Sequence, residues 1–208
     1  VLLLINLFFR PELRINTPSS YLKQQLPQTK TTEHFKLYFA ADLFTPEEME
    51  YWAARHEFHF QQIINLLEIE WPEGRMIESY LYGNAWQKKE LVGAKFTSYV
   101  PVWLEQDQLH IAKEHLNGVL KHEMVHVLAK QFGNSLIKAS WNIGLVEGLA
   151  EGIAADASDV STLNQIMAAD PPYPTVEEMH ASLTLSGFYS SAGSISYTTA
   201  GSFVQFLL

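Results

Sequence analysis

The sequence predicts an α+β protein. Stretches that alternate with a period of two come first in the chain, stretches with helical periodicity come last, and no internal repeat relates them. Phe35-Lys36-Leu37-Tyr38-Phe39 is the clearest strand, aromatic-rich and alternating. Thr45-Pro46-Glu47-Glu48 is the clearest helix start, with a Thr N-cap, Pro in the first helical position and acids in the first turn.

Taken in order, residues 1–9 are apolar apart from Asn6. As a helix they rise about 13 Å, short of the roughly 30 Å of a bilayer core. They read as the tail of a membrane anchor or signal peptide, as a buried strand, or as a docked terminal helix; Arg10-Pro11 ends the run abruptly, which favours the first. Residues 10–32 hold Pro11, Pro18, Ser19, Ser20 and Pro27 with no sustained period, and read as a linker. Residues 1–32 are thus expected to precede a domain covering 33–208. The helix opened by Thr45 is expected to run to about Glu68. Residues 76–82 read as a second strand, 85–91 as a short helix or turn, and 95–103 and 108–111 as further strands joined by a polar turn. A long helix is predicted over 113–132, closed by Gly133-Asn134, and another over 143–155. Thr175-Val176-Glu177-Glu178 starts a short helix, and a last one begins near Thr198. The final residues read as a helix cut in mid-run, which predicts a piece of a longer protein.

The composition removes several classes of function. With 208 residues, 47% hydrophobic and 18% charged, the chain has an ordinary globular balance. The net charge is −9 and no Lys/Arg-rich run occurs, so nucleic acid is not an expected partner. There is no cysteine, so any metal must be held by His, Asp or Glu. That absence fits a bacterial envelope protein and a cytosolic one equally. No Walker, dinucleotide or Gly-x-Ser-x-Gly fingerprint is present.

One motif carries chemistry. His122-Glu123-Met124-Val125-His126 is an H-E-x-x-H. On a helix, residues i and i+4 share a face one turn apart, so His122 and His126 can bind one tetrahedral zinc ion while Glu123 reaches a water on the same ion. Leu116, Val119, Leu120, Val125 and Leu128 supply apolar faces around it, and His115 reads as a neighbouring or surface residue. A catalytic zinc takes three protein ligands and leaves one position open. The metzincin pattern would need Gly and His where Ala129 and Phe132 stand, so the third ligand is expected from the next helix, in Leu145-Val146-Glu147-Gly148-Leu149-Ala150-Glu151-Gly152. Glu147 and Glu151 share a helical face. Two acids on an apolar, Gly/Ala-rich helix are costly without a cation, which assigns Glu147 as ligand and Glu151 as acceptor of a ligand imidazole's proton. A solvated acidic face is the competing reading.

With these residues in view, the segment from Trp141 through Glu147-Gly148-Leu149-Ala150-Glu151, following an H-E-x-x-H, resembles the gluzincin metallopeptidases. It is most similar to bacterial peptidase MA-like domains and more distantly to the aminopeptidase N and thermolysin families. The resemblance covers about residues 33–208. It implies a zincin-like fold, with a small mixed-sheet lobe, an active-site helix and a C-terminally truncated helical lobe. It also implies a zinc ion, a sheet edge that aligns a peptide substrate, and Glu147 as third ligand. Tyr197-Thr198-Thr199-Ala200-Gly201-Ser202-Phe203 is similar to the segment that closes the site in the MA-like group, and implies Tyr197 as oxyanion stabiliser, with Tyr189 and His180 in reserve. No Gly-rich exopeptidase signature precedes the active-site helix. The expected function is peptide-bond hydrolysis with Glu123 as general base, and the expected location is extracytoplasmic, in the envelope, anchored or secreted. The alternative is a catalytically idle zincin-like module that binds a peptide or partner, which intact Glu123 disfavours. A membrane-embedded protease is disfavoured by Lys113, Lys121 and Lys130 around the motif. His56 and His59 read as a solvated helix face, and Trp52, Phe58, Ile63, Leu66 and Leu67 as core.

Overall fold

The computed structural model describes residues 17–95, 107–133, 142–155 and 193–208, with single positions at 175, 177 and 188. Its internal contacts divide the chain at Val127/Leu128. The first unit contains α1 (Ser19–Gln25), β1 (Gln28–Thr31), β2 (Phe35–Phe39), α2 (Pro46–Leu66), β3 (Ile77–Tyr82), α3 (Ala85–Val92) and β4 (Gln108–Ala112). It also holds most of α4 (Leu116–Ala129), which a 3-10 turn at Lys113–His115 introduces. The strands form one mixed sheet in the order β1-β2-β3-β4, with β1 antiparallel to β2 and the other neighbours parallel. The architecture is therefore α+β. Parallel neighbours cannot be joined by a tight turn, and α2 and α3 lie in the two connections.

Both faces of the sheet are covered, which is why β3 is buried along nearly its whole length and β4 along all of it. Phe35 on β2 meets His56 and Phe60 of α2 edge-on, at ring-centroid distances of 5.1 and 5.7 Å. On the opposite face Tyr38, Tyr80 and Tyr82 form a cluster with Leu22 and Leu26 below them and Leu91 and Val92 of α3. The start of α2 is as its sequence predicts. Thr45 Oγ1 accepts from the Glu48 amide at 3.2 Å, Glu48 Oε2 accepts from the Thr45 amide at 2.9 Å, and Pro46 follows the cap.

Several expectations are corrected. The segment read as linker contains α1 and β1. α1 is only two turns long, too short to show a period, yet Leu22 and the adjoining Leu26 are fully buried. β1 is an edge strand whose Gln-Thr-Lys-Thr sequence has no apolar face, and it is held by its pairing with β2. His56 and His59 are buried, not solvated. His56 is satisfied on both ring nitrogens, Nδ1 to the Trp52 carbonyl at 2.7 Å and Nε2 to Ser79 Oγ at 3.0 Å. His59 lies 3.1 Å from Arg55 Nη2 and 3.2 Å from Gln62 Oε1. Phe58 and Leu66, read as core, are exposed, while Ile63 is buried. Gly133 closes the turn after α4 in an extended conformation (φ −74°, ψ 172°), so no left-handed cap ends it. The strand expected over 95–103 lies outside the described residues beyond Lys95.

Buried histidines make the stability of this unit depend on acid. Burial pushes His56 down to about 4, and burial together with the charge of Lys88 pushes His110 down to about 3. The unfolded chain takes up these protons near pH 6.5. As pH falls below 6.5 the unfolded state therefore binds protons that the folded state refuses, and stability is lost through pH 4, at about 1.4 kcal/mol per pH unit per histidine. Urea denaturation between pH 7 and 4.5 is expected to show this slope, and His56→Gln is expected to reduce it.

In the second unit, α5 (Ile143–Ala154) and α6 (Gly193–Leu207) pack closely. A Cβ on Gly148 would stand 2.6 Å from the Ala200 carbonyl oxygen, and one on Gly201 would stand 2.8 Å from Glu151 Cγ, so glycine lets the two backbones approach. Asn142 caps α5 by accepting from the Leu145 amide at 3.2 Å. Gln205 Nε2 donates to the Gly152 carbonyl at 3.2 Å. α6 starts five residues before the expected Thr198, because Gly193, Ser194 and Ser196 carry no helical signal of their own. No described helix is long and apolar enough to cross a membrane.

Candidate metal centre

Helix α4 is fixed at its start. Lys113 Nζ donates to the Leu43 carbonyl at 2.7 Å and to Glu48 Oε2 at 3.1 Å, and Arg55 of α2 donates to Asn117 Oδ1 at 3.1 Å. Leu116, Leu120, Met124, Val125, Val127 and Leu128 are buried along its length, as the sequence pattern requires, and Val119 is half-buried. This apolar anchoring sets the rotation of the helix, so the positions of residues 122 and 126 follow from it.

His122 and His126 are half-buried and their Nε2 atoms are 3.2 Å apart, with the rings inclined at 78° and their centroids separated by 4.9 Å. Two nitrogens bound to one tetrahedral zinc at about 2.0–2.1 Å would be separated by about 3.3 Å. The pair therefore already has the spacing of a tetrahedron edge. Among the described residues, His122, His126 and Glu147 form a group in which each side chain offers one ligand atom and all three atoms lie within 4.8 Å of one another. Two imidazoles and one carboxylate are the donor set of a catalytic zinc site with an open position, so these residues fit that ion.

Glu123 is 7% exposed and faces away from bulk water. Glu151 is half-buried, with its stem against Gly201 of α6. Tyr197 is half-buried on α6, and its ring meets Phe188 edge-on at 4.9 Å. The reserves Tyr189 and His180 lie outside the described residues.

Sequence reasoning passed over a set of buried polar groups. Lys88 is fully buried on α3, His110 is 2% exposed on β4, and Tyr82 is fully buried on β3. Burial pulls the Lys88 ammonium down to about 8, while the charge of Glu123 acts in the opposite direction. Tyr82 Oη lies 2.8 Å from His110 Nδ1, and His110 Nε2 lies 3.4 Å from Gln108 Oε1. The amide nitrogen of Gln108 is committed to Ser19 Oγ and Glu78, so its oxygen accepts. His110 therefore carries its proton on Nε2 and accepts from Tyr82 on Nδ1. A signal for Lys88 was present in the sequence. It stands at helical spacing between Ala85 and Leu91-Val92, on what becomes the buried face of α3.

Compared with protein-family models, curated proteins and solved structures, the chain matches none of them.

Proposed function

We propose that this chain is a zinc-dependent peptidase of gluzincin type, similar to bacterial peptidase MA-like domains and built on a zincin-like fold. The observation that carries the reading is the imidazole pair of α4, with Nε2 atoms 3.2 Å apart and a carboxylate of Glu147 in the same group. In this reading His122, His126 and Glu147 hold the ion, and Glu151 orients a ligand imidazole. Zinc bound there would supply Lewis acidity to the scissile carbonyl and lower the pKa of a water. Glu123 accepts that water's proton and delivers it to the leaving amine nitrogen, so one carboxylate serves first as base and then as acid. Tyr197 donates a hydrogen bond to the oxygen on which negative charge develops. The substrate is a peptide or protein aligned along a sheet edge, and nucleic acid is not a substrate for so acidic a chain. An envelope location, anchored or secreted, is part of the proposal.

The test is cleavage of a mixed peptide pool by zinc-loaded protein. Cleavage is expected to be abolished by a chelator and restored by added zinc. Stoichiometric zinc binding without cleavage of any peptide would leave only an idle binding module.

A further inference from the structure

Helix α2 carries four acids, Glu47, Glu48, Glu50 and Glu57, and one arginine, Arg55. On a helix the residues able to neutralise a charge stand three and four positions away. At Arg55 those positions hold Tyr51, Trp52, Phe58 and His59, and every one is aromatic. Three of the acids are committed elsewhere: Glu48 to Lys113, Glu50 to Lys30 and Glu57 to His34. Arg55 is half-buried, and its hydrogen bonds go to neutral acceptors. Nη1 donates to Tyr51 Oη at 2.9 Å and to Asn117 Oδ1 of α4 at 3.1 Å, and Nη2 donates to His59 Nε2 at 3.1 Å. A guanidinium cannot accept, so His59 carries its proton on Nδ1, which faces Gln62 Oε1 at 3.2 Å. These bonds use three of the five guanidinium N–H donors. Two donors and the whole charge are left for an anion.

The surroundings of that charge are apolar, exposed and held in place. The guanidinium carbon lies 5.7 Å from the centroid of the Tyr51 ring and 5.8 Å from that of Trp52, and the two rings meet edge-on at 5.1 Å. Tyr51 is 51% exposed and Phe58 58% exposed. Tyr51, Arg55 and Phe58 stand at i, i+4 and i+7, so they form one stripe along the helix. Aromatic rings and arginine are the side chains that dominate contacts between polypeptides, because they offer broad, stiff area with a polar tip. We propose that this stripe of α2 is a docking surface for an acidic polypeptide segment: a Glu or Asp side chain pairs with Arg55, and an apolar side chain beside it lies on Tyr51 and Phe58. Charge complementarity selects the occupant, since a carboxylate matches the planar fork of a guanidinium that has no acid of its own. The chain carries a net charge of −9, so most of its surface repels such a segment and Arg55 fixes where it lands. The surface lies within the first unit and needs no metal, so it stands apart from the peptidase reading.

The experiment is fluorescence anisotropy on the full chain, treated with a chelator, at pH 7, with two pools of short labelled peptides. One pool carries Glu beside Leu or Phe, and the other carries Gln in place of the Glu. Native protein is expected to bind the acidic pool about 10- to 100-fold tighter, the contribution of one charge-assisted contact. The preference should shrink as salt is raised. Arg55→Gln is expected to abolish the preference, and Phe58→Ala to weaken both pools alike, because an exposed ring adds area and no charge. Equal binding of the two pools by native protein, or a preference that survives Arg55→Gln, would overturn the proposal. Unchanged affinity in Phe58→Ala would also overturn it and leave a plain anion site. Self-association of native protein that Arg55→Gln abolishes would make a second copy the occupant, against the proposal. If Arg55→Gln fails to fold, Arg55→Lys takes its place: it keeps the charge and loses the fork, so its preference is expected to be reduced, and a native preference would overturn the pairing.

Discussion

Glu123→Gln is expected to lower kcat for peptide cleavage by about 10²–10⁴-fold while zinc stays bound. The amide keeps the size of the side chain but cannot accept the proton of an attacking water, so the chemical step loses its base. The proposed ligands are untouched: His122 and His126 keep their Nε2 atoms 3.2 Å apart, and Glu147 remains in the same group. KM should change little, because Glu123 is 7% exposed and contributes to the step after binding. Steady-state kinetics with metal analysis of the same sample checks this. Cleavage at the native rate would remove Glu123 from the mechanism, whatever the metal content.

Glu147→Ala is expected to separate metal binding from fold. Loss of an outer-shell partner lowers metal affinity about 10- to 100-fold, and loss of a direct ligand should cost more. Zinc affinity is therefore expected to fall by more than about 100-fold in Glu147→Ala, and by about 10- to 100-fold in Glu151→Gln. Competition with a zinc chelator measures both. The two acids share one face of α5 and one helical environment, so a general electrostatic effect would weaken both variants alike. The account requires the larger effect at residue 147. Zinc should also raise the Tm of native protein, because a ligand that binds the folded state alone stabilises it, and this rise should be largely lost in Glu147→Ala. Full zinc retention would take Glu147 off the ligand set.

What the sequence disclosed here has a physical pattern. The imidazole pair was legible because its geometry is local: residues four apart on a helix share a face whatever surrounds them. Glu147 drew attention because two acids on a Gly/Ala-rich apolar helix need an explanation, and the packing of Gly148 on the Ala200 backbone shows how closely that helix is covered. The start of α2 was legible because a capping box is written in consecutive residues. The misreadings share the opposite property. α1 and β1 have no periodicity of their own and are fixed by contacts with Tyr38, Tyr80 and the β2 ladder. His56 is buried because β3 brings Ser79 to its Nε2, a partner 23 residues away. Lys88 looks like an ordinary surface lysine in Lys88-Lys89-Glu90 until α3 is seen to bury that side. Polar residues placed in a core by tertiary contacts are the class that pattern reading assigns to solvent.

The central claim is that two imidazoles and the carboxylate of Glu147 hold one zinc ion. Anomalous diffraction at the zinc edge from zinc-soaked crystals tests it directly. The account predicts one full peak within about 2.2 Å of Nε2 of His122, Nε2 of His126 and a carboxylate oxygen of Glu147. A peak bound elsewhere, or one contacting the histidines while Glu147 points away, would contradict it.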